Sequence, residues 1–317
     1  MKRVSGKTIF NILLVVAAYA YLIYTFITFE NYPALIAHFR HAGWKQFGAL
    51  AVAAGLIPVN FLCEAIKWKF LLRKLEPMSI REAQRQVYYG FVGAMLTPER
   101  LGDYPTRVTR IADKNKWLPA IALGFVGSMG LSTVNMSGGL LSLLFSGLEV
   151  GGENKDKVLV VSIALLVFFV GVVLLLPAWA RRKETSVKGN IEGEKWWQKM
   201  LFIMKDFAAW EFPAVIGISL LRYVVYCAQL LLVLIFCGVN LTMSQYLTII
   251  PIHYLFVTVV PTVPVADAAV RGSVGVLIFG AMTSNTAGVA IAAIVLWVLN
   301  TIIPCIIGTL VKPNQAE

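Results

Sequence analysis

The chain has 317 residues, of which 58% are hydrophobic and 14% charged, and it carries a net charge of +11. With a mean hydropathy of +0.73, this balance excludes an ordinary soluble domain, which sits nearer half apolar and a quarter charged. It also points the positive charge away from nucleic acid: the basic residues fall in short stretches between long apolar blocks, where a membrane surface is the fitting partner.

Apolar blocks of about 20 residues match the hydrocarbon thickness of a bilayer. Their backbone groups have no water to bond there and must bond within a helix. Such blocks lie at about 8–29, 46–66, 118–148, 158–180, 213–238 and 285–311. The first is too long for the apolar region of a signal peptide and lacks a small-residue cleavage site, so it reads as a retained span. The third contains Gly138-Gly139, which suggests a span plus a broken extra turn. Residues 181–199 read as a polar loop, and Trp196 to Trp210, mixing Lys199, Lys205 and Asp206 with apolar residues, as an interfacial helix.

Two shorter apolar stretches remain, at about 86–97 and 246–283. The first is too short to span. The second holds Pro251, Pro261 and Pro264, which should break it, and encloses Asp267 and Arg271. The stretches 1–7, 67–116, 181–205 and 312–317 hold 22 of the 28 lysines and arginines. The positive-inside rule then places both termini in the cytoplasm, with the cell inner membrane as the expected location of this multi-pass protein. Both flanks of 86–97 are basic, so the segment should enter and return on the cytoplasmic side, as a re-entrant hairpin. The stretch 246–283 should do the same from outside.

Each half of the chain, about 1–150 and 151–317, then reads as span, span, re-entrant hairpin, span, with opposite starting sides. The expected fold is all-α: a single membrane domain of six full transmembrane helices and two opposed re-entrant hairpins, forming an inverted repeat. Inverted repeats are typical of transporters, with the binding site where the broken elements meet near midplane. A faint echo accompanies the repeat. Asp103 lies four residues before Arg107, and Asp267 four before Arg271, so each pair shares a face if its segment is helical.

The densest local signal is Thr97-Pro98-Glu99-Arg100-Leu101-Gly102-Asp103-Tyr104-Pro105-Thr106-Arg107. Broken helices free backbone N–H groups that favour anions, and Arg100 and Arg107 can fork onto a phosphate. The plainer alternative is a cytoplasmic loop following the positive-inside bias. Glu64 and Arg222 are ionisable groups within or beside predicted spans, candidates for function by default. For Glu64 the alternative is an interfacial pair with Lys67, and for Arg222 it is snorkelling to the interface. For Arg271 it is a structural pair with Asp267.

The run TPERLGD resembles the TPGRLGE-type motif of the lysylphosphatidylglycerol synthase transmembrane-region family, which includes the flippase domain of MprF-type proteins and standalone YbhN-like membrane proteins. Lys67-Trp68-Lys69-Phe70 resembles the family's basic-Trp ending of an early span. Ser219-Leu-Leu-Arg222-Tyr223 resembles the start of its Leu-rich span, and Pro261-Thr262-Val263-Pro264 the start of its late PTPGGLGVRE-type motif. Glu99 replaces a motif glycine and Asp103 stands at its acidic position. Val265-Ala266-Asp267 replaces the paired glycines, and no soluble aminoacyl-transferase domain is expected within these 317 residues. The resemblance implies a lipid-handling membrane protein, but these departures keep the family's lipid specificity from being carried over.

The four cysteines are scattered, with no CxxC spacing. The histidines lack a ligand pattern, and no nucleotide-binding or hydrolase motif is present. No cofactor, metal or catalytic set is therefore expected. The expected function is binding a lipid with an anionic or zwitterionic head, such as a phospholipid, and translocating it between leaflets as a flippase. Thr97, Arg100, Asp103, Arg107, Arg222, Asp267 and Arg271 should form the binding set. Pro98, Gly102, Pro261, Pro264, Glu64, Lys67 and Trp68 should shape it. The alternatives are an intramembrane transferase acting on a lipid-linked substrate, with Asp103 as base, and a scaffold for a lipid-modifying enzyme as partner.

Overall fold

The described residues fold into helices and turns, with no strand among them. The computed structural model describes residues 19–30, 32–97, 100–149, 211–260, 262 and 264–311, with isolated positions at 16 and between 156 and 167. The expected span at 158–180, apart from those isolated positions, the loop 181–199 and the interfacial helix to Trp210 lie outside the described residues.

In chain order the helices are α1 (Tyr19–Thr28), α2 (Tyr32–Arg40), α3 (Trp44–Leu72), α4 (Ile80–Leu96), α5 (Asp103–Val108), α6 (Trp117–Glu149), α7 (Glu211–Phe236), α8 (Met243–Val259), α9 (Pro264–Phe279) and α10 (Thr286–Leu310). Among the described residues four stretches, Trp44–Leu72, Lys114–Ser146, Glu211–Phe236 and Thr286–Leu310, are long and apolar enough to cross a membrane. The protein is thus a multi-pass helical membrane protein. Of the first expected span, the described part is α1 with its flanking residues.

Two sequence expectations fail. Gly138-Gly139 does not interrupt α6, which runs unbroken from Trp117 to Glu149. The two glycines instead let neighbours approach: a Cβ at Gly138 would press on the Tyr223 hydroxyl, and one at Gly139 would meet the Leu255 side chain and the Pro251 carbonyl. Pro251 does not break its segment either, and sits inside α8. Proline is tolerated in such a helix because packed neighbours compensate for the lost bond. Pro264 does begin a helix, α9, whose first turn needs no N–H from it.

The segment around 86–97 is longer than its apolar core suggests. α4 begins at Ile80, capped by the Ser79 hydroxyl, which accepts from the Glu82 N–H at 3.2 Å. The chain turns after Leu96 and comes back along α4 as α5. Arg110, beyond α5, returns to the start of α4 and forks onto Glu82 at 2.9 and 3.2 Å. The ends of this helical hairpin therefore lie together. The close approach of its legs depends on small residues. A Cβ at Gly90 would strike the Asp103 carboxylate and the Arg107 side chain, and one at Gly93 would strike Thr106 and, at 2.5 Å, the Gly102 carbonyl.

α8 and α9, consecutive in the chain, pack against each other as a second hairpin. α8 opens with a capping box in which Thr242 and Gln245 exchange bonds. The interior is set by α3 packed along α7, α6 against α8, and the end of α10 against α4. Phe61, Trp68, Val87, Val215, Leu234 and Phe279 are among the side chains buried there.

Candidate functional site

Inside this bundle α3 and α7 carry a line of polar groups that a purely apolar interface would lack. Gln229 donates to the Ala53 carbonyl at 3.0 Å and accepts from the Asn300 amide at 3.1 Å. Asn60 donates to Asn300 at 2.9 Å and accepts from the Arg222 Nε at 2.8 Å. Asn300 lies in the π turn Val298–Ile302 of α10. Such turns unseat a helix's regular bonding and often mark functional sites.

The line ends on Glu64, which is 2% exposed and far from the span end where the sequence placed it. α3 continues for two more turns, to Leu72. Glu64 receives three cations: Lys67 Nζ at 2.8 Å, Arg107 Nη1 at 3.0 Å, and the Arg222 guanidinium. Lys67 also donates to the Gly127 carbonyl at 3.1 Å. Arg222 reaches the Tyr226 hydroxyl at 3.1 Å. The snorkelling alternative for Arg222 is therefore overturned: its guanidinium is spent inside the protein, because a carboxylate one helix away offers a stronger partner than the interface. The interfacial reading of Glu64 falls for the same reason, although its pairing with Lys67 is real.

Arg107 is 1% exposed. Its Nε and Nη2 grip Asp103 at 2.7 and 2.9 Å while Nη1 holds Glu64. Its guanidinium lies 4.8 Å from the Tyr104 ring centre and 5.2 Å from that of Trp68. Trp68 in turn donates to Gln86 at 2.7 Å, tying α3 to α4. Every nitrogen of Arg107 is committed.

Arg100 and Arg271 differ. Arg100 has a φ of 57°, a left-handed conformation that costs a non-glycine residue roughly 1–2 kcal/mol. Its guanidinium lies 4.4 Å from the Phe91 ring centre, and no ion pair holds it among the described residues. Arg271 is held through Nε alone, by Asp267 at 2.8 Å. Its two terminal nitrogens carry no bond among the described residues, and its side chain is 28% exposed. Both arginines line one cavity of about 540 Å³, a size usual for ligand sites.

The same cavity is lined by Glu64, Lys67, Asp103, Arg107 and Arg222, and by α6, α8 and α10 through Asn135, Thr258 and Trp297. The structure thus brings seven of the eight sequence-selected charges to one space, with the eighth, Asp267, bonded to Arg271. Thr97 is not among the lining residues. Its hydroxyl donates to the Gly93 carbonyl at 3.0 Å and accepts from the Gly102 N–H at 2.7 Å, closing the hairpin turn. Gly102 caps α5. Pro98, Glu99 and Pro261 lie outside the described residues.

Among the lining residues missed in the sequence are Asn135, Trp297 and Asn300. In the sequence each looks like any residue of an apolar span. Their signal was weak: an amide inside an apolar block, which is costly unless used.

A family model for the lysylphosphatidylglycerol synthase TM region matches residues 9–308. The chain belongs to that family. Set against curated proteins one by one, it matches none. Within the lysylphosphatidylglycerol synthase TM region family, the described residues of the stretch that carries the resemblance here, Thr97 and Arg100 to Asp103, lie in the α4–α5 hairpin, between the end of α4 and the start of α5. The Lys67-Trp68 pair packs directly beneath that hairpin, and Arg222 faces it from α7. The motifs that lie far apart in sequence therefore converge on one charged cluster.

Proposed function

We propose that the protein is a flippase, which binds a phospholipid or related anionic lipid by its head group in the cavity and carries that head between leaflets. The observation that carries this reading is the pair of guanidinium groups, Arg100 and Arg271, that enter one interior cavity from two different hairpins with bonding capacity unspent. Arginine is suited to phosphate because its planar fork donates two parallel bonds. Membership of a family named for a lipid synthase's membrane region supports a lipid as the ligand.

In this reading the hairpins α4–α5 and α8–α9 are re-entrant and enter from opposite sides, and the chain is an inverted repeat with six full spans and both termini in the cytoplasm. The packing supports the repeat: α3 pairs with α7, and the contact of α6 with α8 is mirrored by that of α10 with α4. The salt bridges Glu82–Arg110, Glu76–Lys116 and Glu211–Arg73 support a shared side for both ends of the first hairpin. Cysteines introduced as Arg81→Cys and Lys114→Cys, in a chain cleared of Cys63, Cys227, Cys237 and Cys305, should be labelled by an impermeant maleimide from the cytoplasmic side only. Labelling of the two from opposite sides would remove the re-entrant hairpin.

The function itself is tested in proteoliposomes holding a trace of head-labelled anionic phospholipid. Dithionite should bleach about half of the label in protein-free vesicles and more than that once the protein is present. Bleaching that stays at half for both anionic and zwitterionic lipids would defeat the flippase reading.

A further inference from the structure

The cavity's charges do not balance among the described residues. Glu64 and Asp103 face Lys67, Arg107 and Arg222, which leaves one positive charge over. Arg271 and Asp267 neutralise each other. Arg100 has no carboxylate among the described residues and adds a second. A surplus of two positive charges among largely buried side chains is costly, and a ligand of matching charge offsets it. The unspent donors have the same sense: the arms of Arg100, the terminal nitrogens of Arg271, and the Trp297 indole N–H, which is buried with no acceptor among the described residues.

We infer that the cavity is built for a dianionic phosphate monoester, the head of a lipid such as a phosphatidic acid or a polyprenyl phosphate, in preference to a phosphodiester or a zwitterion. This rests on the lipid-binding reading above and narrows it. A phosphodiester head brings one negative charge and leaves the surplus half met. A zwitterionic head brings none in sum, and its ammonium would enter a cavity already cationic. A phosphate monoester near neutral pH carries close to two charges and three acceptor oxygens. Those oxygens match two guanidinium forks and one indole N–H.

The cavity also holds one unused acceptor. The Asn135 side-chain nitrogen donates to Thr258 Oγ1 at 3.0 Å, and the Thr258 hydroxyl is itself committed to the Tyr254 carbonyl at 2.7 Å. Thr258 therefore has no proton to give, which fixes the Asn135 amide with its oxygen turned away from Thr258. That oxygen is buried and unbonded. Since Asn135 lines the cavity, this oxygen can accept a hydrogen bond from the one P–OH of the monoanion, so that the site would still hold the head, less tightly, after one protonation.

The test measures lipid-induced stabilisation of the full-length protein in detergent micelles containing phosphatidic acid, phosphatidylglycerol or phosphatidylethanolamine of one chain composition. A parallel arm adds glycerol 3-phosphate without a lipid. Phosphatidic acid should bind at least tenfold more tightly than phosphatidylglycerol at pH 7.5. The advantage should shrink as pH falls through about 6, where the second ionisation of a phosphate monoester is lost. Arg100→Gln should reduce the preference without reversing it. Equal or tighter binding of phosphatidylglycerol, or a preference unchanged between pH 7.5 and 5, overturns the inference while leaving lipid binding intact. Binding of glycerol 3-phosphate as tight as that of phosphatidic acid overturns the lipid as the source of the phosphate. Absence of stabilisation by every ligand would instead defeat the lipid-binding reading on which the inference rests.

Discussion

Glu64→Ala should leave little or no folded protein. The substitution strips the shared anion from Lys67, Arg107 and Arg222. Removing one partner of a buried pair costs roughly 3–5 kcal/mol because the other charge stays buried and uncompensated. Here one carboxylate serves three cations, and only Asp103 remains to offset them. Total stabilities of ordinary domains are about 5–15 kcal/mol, so the loss is a large part of what holds the fold. A double variant separates charge from packing. Glu64→Gln with Arg222→Met removes one cation along with the anion and should recover part of the yield and melting temperature lost in Glu64→Gln alone. Monodisperse yield and thermal melting in detergent report both. A Glu64→Ala protein that melts like the parent would mean that the cluster is hydrated and that Glu64 is not its keystone.

That keystone role was hard to read from the sequence, and the reason is physical. Glu64 stands three residues before Lys67, a spacing that fits a local pair on any helix surface. What makes it central is the arrival of Arg107 from α5 and Arg222 from α7, 43 and 158 residues away. No local pattern records that convergence. The spans, by contrast, were legible, because hydropathy over a bilayer's thickness is a local property. The four stretches long and apolar enough to cross a membrane fall on the segments expected at 46–66, 118–148, 213–238 and 285–311.

Helix breakers misled in a consistent way. Gly138-Gly139 and Pro251 suggest interruption when read alone, yet α6 and α8 run through them. Gly139 meets α8 at Pro251 and Leu255, and Gly138 meets Tyr223 of α7; the small size of the glycines at these contacts outweighs helix propensity in such packing. The Asp–Arg spacing at 103/107 and 267/271 did give real pairs, at 2.7 and 2.8 Å. What the spacing hid was their inequality. Arg107 is locked on three sides, while Arg271 keeps two nitrogens free among the described residues.

That inequality sets the last expectation. Arg100, Arg107 and Arg271 look alike in the sequence, and all three were natural choices for holding a head group. The structure divides them. Arg100→Gln and Arg271→Gln should each fold normally and each weaken binding of an anionic phospholipid about tenfold or more, since a hydrogen bond to a charged group contributes roughly 1.5–3 kcal/mol and about 1.4 kcal/mol is a factor of ten. The two together should abolish measurable binding. Lysine at either position should restore binding only in part, because an ammonium lacks the fork. Arg107→Gln should behave differently: it leaves Asp103 without its bidentate partner and Glu64 one cation short, so folded protein is lost before binding can be assayed. Melting temperature and lipid-induced stabilisation, measured on all three variants side by side, decide the matter. If Arg107→Gln folds well and fails to bind while Arg100→Gln and Arg271→Gln bind normally, then the committed arginine must release its carboxylates to take the ligand. The open pair would then not be the head-group site.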